Sequence, residues 1–135
     1  VRRALTLVLL AVLAAACSPS RAAPNDGTAT VVSVTDGDTI DVDIAGHGES
    51  VRLLGIDTPE THHPTKPVEC YGAEASARTA ELLPPGRRVH LVRDAEARDR
   101  YGRLLAYVYR VDDDLFVNLA LVADGFADTL DIAPN

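Results

Sequence analysis

Thr39-Ile40-Asp41-Val42-Asp43-Ile44 alternates apolar and polar residues without a break, so Ile40, Val42 and Ile44 share one face and Asp41 and Asp43 the other. A segment of this period is a β-strand with one side buried. Working outward, residues 28–35 form a strand candidate before it, interrupted by the turn Asp36-Gly37, and Gly46-His47-Gly48 makes a second turn after it. Residues 51–56 read as a third strand, ended by Thr58-Pro59, and 60–69, with Pro64 and Pro67, as a loop. Residues 71–83 are Ala-rich and helical, with Ala75, Thr79, Leu82 and Leu83 facing the core, and Pro84-Pro85-Gly86 stops them. Two further strands follow at 88–93 and 104–110, the second with Tyr107 and Tyr109 on a shared face. A short helix over 118–124 is closed by Gly125.

Five short strands, with one helix inserted between the third and fourth and a short second helix, predict a mainly β (α+β) fold. The architecture expected is a five-stranded Greek-key barrel of the OB type, whose closure also manages the sheet edges. No internal repeat interrupts this pattern.

The first residues read as an address. Arg2-Arg3, an apolar run of about 12 residues and Ala14-Ala15-Ala16 have the layout of a secretory signal over 1–16. The run is too short to span a hydrocarbon core about 30 Å thick as a helix. Leu13-Ala14-Ala15-Ala16-Cys17 resembles a bacterial lipobox, with Ala14 where leucine is usual, so Cys17 is a candidate for lipidation. Cleavage after Ala16 or Ala23 is the alternative, leading to free secretion. Residues 17–27 are a Ser/Pro/Ala/Gly tether in either case, and 28–135 the domain. With Cys17 lipidated or removed, Cys70 has no intramolecular partner, so no structural disulfide is expected.

The 135 residues carry a net charge of −7, or −9 once Arg2 and Arg3 are removed with the signal. That excludes a protein that coats nucleic acid through bulk positive charge. Any phosphate chemistry must therefore come from particular side chains, and three clusters offer them. Asp38, in Asp36-Gly37-Asp38-Thr39, shares the parity of Ile40 and Val42, which points its carboxylate into the barrel mouth. A carboxylate there is costly unless paired. Asp57, in Arg52-Leu53-Leu54-Gly55-Ile56-Asp57-Thr58-Pro59-Glu60, supplies a second carboxylate and Thr58 a carbonyl, an all-oxygen set suited to Ca²⁺ completed by water. Arg52 and Arg103, the latter in Asp99-Arg100-Tyr101-Gly102-Arg103, can each hold phosphate oxygens while remaining charged, and Glu60 can orient or deprotonate a water. Such a kit serves attack of water on a phosphodiester. Arg52 and Asp57 have opposite strand parity, so a bend, best placed at Gly55, is needed to unite them.

These clusters together resemble the thermonuclease family, the secreted staphylococcal-nuclease-like enzymes, over 28–135. The likeness extends to Tyr71-Gly72-Ala73-Glu74-Ala75, Leu104-Leu105-Ala106-Tyr107 and Val117-Asn118-Leu119-Ala120-Leu121-Val122. The resemblance implies an OB-fold and a monomeric Ca²⁺-dependent endonuclease acting on DNA and RNA. It further implies cleavage of the 5′ P–O bond, leaving 3′-phosphate ends. By matching motif, Asp38 and Asp57 would bind calcium through side chains and Thr58 through its backbone. Arg52 and Arg103 would neutralise the phosphate in the transition state, and Glu60 would be the base.

The sequence departs from the family in its acidity and in Leu130-Asp131-Ile132-Ala133, which stands where base-stacking tyrosines are expected. A lost stacking contact costs about 1–3 kcal/mol of nucleotide binding. It departs also at Pro134-Asn135, beyond which the family has a further helix, expected to be absent here. The alternatives are a non-catalytic OB module that binds nucleic acid or protein, and a truncated, inactive remnant of a nuclease. Intact Arg52, Glu60 and Arg103 speak against a mere binder.

Overall fold

The alternation of residues 39–44 is realised directly in the structure. In a computed structural model, which describes residues 27–61 and 70–135, β2 (Thr39–Ile44) buries Ile40 and Val42 completely and turns Asp41 outward. There the Asp41 carboxylate accepts hydrogen bonds from the Ser33 and Thr35 hydroxyls of β1 (Thr28–Asp36). The signal at 1–16, Cys17 with most of its tether, and His62 and His63 of the 60–69 loop lie outside the described residues.

β1 and β2 pair antiparallel with two register shifts, between Val31 and Ser33 and between Val34 and Asp36. Each bulge adds twist, which a short-stranded sheet needs to curl into a barrel. β2 passes to β3 (His47–Leu53) through Ala45-Gly46, both at positive φ, so the turn lies one residue earlier than Gly46-His47-Gly48 and His47 is already in the strand. A two-residue turn of this hand matches the twist of the strands it joins. β5 (Arg88–Val92) and β6 (Leu104–Arg110) complete the sheet. β6 runs parallel to β3 from Val51↔Leu104, and β5 pairs with both β6 and β1, closing the barrel in the order β1-β2-β3-β6-β5. This is the expected five-stranded OB-type barrel.

The third strand differs from its expected course. It ends at Leu53, and Leu54-Gly55 turns the chain out of the barrel into β4 (Ile56–Asp57). β4 pairs with β7 (Asp128–Thr129) in a separate two-stranded ribbon. The continuous strand expected over 51–56 is therefore two strands with a corner between them. The corner requires φ of +75° at Gly55, a conformation glycine adopts without penalty.

α1 (Gly72–Leu82) begins one residue later than expected because Tyr71 takes a left-handed conformation. Its Ala75, Thr79 and Leu82, with Leu83 beyond, are buried as expected. The Thr79 hydroxyl donates to the Gly37 carbonyl at 2.6 Å, which docks the helix on the β1–β2 turn. α2 (Val117–Ala123) buries Val117, Asn118 and Leu121. The core unites Val31, Ile40, Val42, Val51, Leu53, Val89 and Val108 of the barrel with Leu82 and Leu121 of the helices. No helix among the described residues is long and apolar enough to cross a membrane.

Because Leu121 is fully buried where α2 meets the barrel, Leu121→Ala is expected to lower unfolding free energy by about 2–5 kcal/mol in chemical denaturation. A loss under about 1 kcal/mol would place α2 outside the cooperative core.

Candidate active site

The barrel closes over a carboxylate. Asp38 is buried in the β1–β2 turn, and each of its oxygens is engaged. Oδ1 accepts the Thr39 hydroxyl at 3.0 Å. Oδ2 accepts the Thr58 backbone N–H at 3.0 Å and its hydroxyl at 3.1 Å, and stands 3.1 Å from Arg52 Nη1. Among the described residues no buried side-chain nitrogen or oxygen lacks a partner. The close approach of Thr58 depends on Gly37: a Cβ there would fall 2.6 Å from Thr58 Oγ1 and 3.0 Å from the Ala75 Cβ.

Arg52 resolves the parity conflict through the corner at Gly55. Its Nη1 donates to the Leu53 and Ile56 carbonyls, at 3.1 and 3.0 Å, and so grips the turn from within. Nη2 meets Asp57 Oδ1 at 2.9 Å. One guanidinium thus bridges Asp38 and the more exposed Asp57. Asn118 of α2 holds the corner from the far side: its amide donates to the Leu54 carbonyl at 2.8 Å and accepts the Val108 N–H at 2.9 Å. Sequence reading assigned Asn118 no part; a polar residue at a core-facing helix position was the available signal.

Arg103 arrives from the β5–β6 loop. Its Nε donates to Asp99 Oδ2 at 2.7 Å, its backbone N–H to Asp99 Oδ1, and its Nη1 to Thr39 Oγ1 at 3.4 Å. Thr39 therefore links Arg103 to Asp38, and through Asp38 to Arg52. Tyr101 lies under two guanidiniums, 4.7 Å from Arg100 and 5.4 Å from Arg103. Both Arg52 and Arg103 line a cavity of about 580 Å³.

Glu60 does not line that cavity. It shares a side-chain hydrogen bond with Asp36, which also accepts from the Gly37 N–H, the Thr61 hydroxyl at 2.6 Å and the Ser76 hydroxyl at 3.3 Å. Burial pushes the Asp36 carboxyl up, but the bonds from Glu60, Thr61 and Gly37 together hold it below its ordinary value. Asp36 is thus the knot joining the β1–β2 turn, the start of the 60–69 loop and α1. In the sequence it read only as a turn residue. The structure brings Asp38, Arg52, Asp57 and Thr58 into direct contact, joins Arg103 to them through Thr39, and ties Glu60 in through Asp36. Cys70 is exposed beside the helix start and belongs to none of this.

The arrangement has the parts for binding a phosphate group: two fixed guanidiniums beside carboxylate and hydroxyl oxygens. Comparison with known proteins agrees. Residues 50–135 match the staphylococcal nuclease homologue family. The thermonuclease of Staphylococcus intermedius is 47% identical over 105 residues, covering 78% of this chain and 61% of that protein. The thermonuclease of Staphylococcus hyicus is 43% identical over 111 residues, covering 82% and 64%. Endonuclease YncB of Bacillus subtilis (strain 168) is 43% identical over 98 residues, covering 73% and 46%. The chain belongs to the staphylococcal nuclease homologue family. It spans about three fifths of the length of the two thermonucleases.

Two expectations follow from this geometry. Gly37→Ala forces Thr58 away from Asp38 and is expected to lower the melting temperature; an unchanged melting temperature would show that the turn can yield. Burial raises the Asp99 carboxyl, but the Arg103 bonds outweigh it and hold the group below its ordinary value. Its stabilising contribution is therefore present above pH about 4 and lost as pH falls through the depressed value. Asp99→Asn should flatten that acid limb in pH-dependent unfolding, and an unaltered limb would refute the assignment.

Proposed function

We propose that this chain is an exported, Ca²⁺-dependent endonuclease that hydrolyses phosphodiester bonds of DNA and RNA and leaves 3′-phosphate ends. The observation that carries the reading is the chain of contacts Arg52–Asp38–Thr39–Arg103, one ion pair and two hydrogen bonds, which sets two guanidiniums on one cavity. The names of the thermonuclease and endonuclease relatives support it. The signal at 1–16 and the lipobox-like Cys17 support export, with either a lipid anchor or free secretion.

The donor set fits a hard divalent cation. Asp38 and Asp57 already converge on one positive group, the Arg52 guanidinium, and every nearby donor atom is oxygen. Asp38 and Asp57 would hold Ca²⁺ with the Thr58 carbonyl, and water would complete the shell. Bound there, the ion would supply positive charge to a phosphate oxygen.

The remaining work falls to the side chains. Arg52 and Arg103 take the non-bridging oxygens, on which charge builds as the phosphorus becomes five-coordinate. Glu60 orients a water and accepts its proton as the water oxygen bonds to phosphorus. The P–O5′ bond breaks, with Arg103 at the leaving oxygen, which takes a proton from water to become the 5′-hydroxyl, and the phosphate stays on the 3′ side.

Cleavage of a quenched fluorescent single-stranded DNA is expected with Ca²⁺ and not with chelator. Glu60→Ala and Arg103→Ala should each cut turnover by about 100-fold or more, with Ca²⁺ binding by Glu60→Ala retained in calorimetry. Unchanged turnover would remove the substituted residue from the mechanism.

A further inference from the structure

Every carbonyl of residues 53–56, the corner that leads out of the barrel, accepts a hydrogen bond. Arg52 Nη1 takes those of Leu53 and Ile56. The Gly55 carbonyl accepts the Leu130 N–H at 2.9 Å. The Leu54 carbonyl accepts the Asn118 amide at 2.8 Å, from a helix residue 64 positions further along the chain. Asn118 Oδ1 in turn accepts the Val108 N–H of β6, so one amide joins that strand to the corner.

This amide is only 2% exposed, and its buried neighbours on α2 are Val117 and Leu121. An apolar side chain would fill the same space without the cost of desolvating an amide. It could meet neither the Leu54 carbonyl nor the Val108 N–H. What Asn118 adds beyond packing is therefore a fixed link between β6 and the corner.

The corner sets Arg52. Nη1 lies on its first and last carbonyls, while Nη2 meets Asp57, which follows directly on it. A displaced corner therefore turns the guanidinium relative to the cavity that Arg52 lines. Arg103 is held instead by Asp99 and Thr39. A guanidinium stabilises developing charge along fixed N–H directions, so misaiming Arg52 is felt in the transition state. Ground-state binding keeps Arg103 and the rest of the substrate contacts.

We propose that Asn118 is a positioning residue for phosphodiester cleavage: it fixes the Leu54-Gly55 corner so that Arg52 stays aimed at the reacting phosphate. The proposal rests on the reading of Arg52 as a phosphate-binding arginine. Asn118 itself lines no part of the cavity.

Steady-state cleavage of single-stranded DNA by the full chain at saturating Ca²⁺, with rates expressed per folded molecule from circular dichroism, tests it. Asn118→Asp keeps the side chain's size and its bond from Val108, but its carboxylate cannot donate to Leu54. It should lower kcat about tenfold and leave KM within about twofold, the signature of an interaction felt in the transition state. Gly55→Ala strains the same corner at φ +75° without a steric clash, the nearest atom being 3.6 Å away, and should reproduce that loss even if the Asn118 variant fails to fold. Val89→Ala, a truncation in the core on β5, lowers stability alone and should leave kcat within about twofold. In an Arg52→Ala background neither corner substitution should reduce kcat further, because no guanidinium is left to aim.

Unchanged kcat in the corner variants, an equal loss in Val89→Ala, or an effect that persists without Arg52 overturns the assignment. So does a loss that additional Ca²⁺ reverses, which would place the effect at Asp57. In each of these outcomes the unsubstituted chain still cleaves, and the nuclease reading stands. Absence of cleavage by the unsubstituted chain overturns both.

Discussion

A buried negative charge at Asp38 is the constraint on which the rest of the site depends. An isolated carboxylate in a barrel mouth is untenable, so it must be met by donors, and those donors come from three separate stretches of chain: Thr39, Thr58 and Arg52. Satisfying Asp38 therefore fixes the start of β2, the exit of β4 and the end of β3 relative to one another. Leaving one partner of such a buried pair unmatched costs about 3–5 kcal/mol, a large part of the stability of a domain this size. The requirement that stabilises the turn is thus the same one that aims Arg52.

The protein's electrostatics are local. Net negative charge gives little long-range attraction to a polyanion. Most arginines of the described residues are tied to carboxylates, and exposed pairs such as Arg98–Glu49 contribute little to stability. The Arg52 and Arg103 pairs differ because they are partly buried and serve to orient: Asp99 holds Arg103, while Asp38 and Asp57 hold Arg52. In the proposed function, phosphate recognition rests on two positioned forks rather than on a basic surface. Tyr101, with guanidiniums stacked over its ring, is the exposed aromatic nearest to them.

Much of this was legible in the residues. The period of two in β2, the proline stop after α1 and the glycine after α2 each express a local rule, and each element formed close to its expected bounds. The boundaries that moved did so where tertiary packing overrides local pattern. Residues 51–56 look like an unbroken strand because Ile56 is as apolar as Leu53, yet the chain turns at Gly55 so that β4 can pair with β7, more than 70 residues later. Asp36, Asn118 and Thr39 were unreadable as site residues for a related reason. A turn aspartate, a helical asparagine and a strand threonine have common structural uses, and only their long-range partners set them apart.

By itself, then, the sequence determined the class of fold, through hydrophobic period and turn chemistry, and the inventory of chemical groups: oxygen donors, guanidiniums and a carboxylate within recognisable motifs. Those are properties of neighbouring residues, and neighbouring residues suffice to read them. The tertiary structure alone decided that Arg52 and Asp57 meet despite opposite parity, that Arg103 reaches Asp38 through Thr39, and that Asn118 bonds the corner that Arg52 grips. Each depends on contacts between distant segments, whose geometry is set by barrel closure and by the need to pair a buried charge.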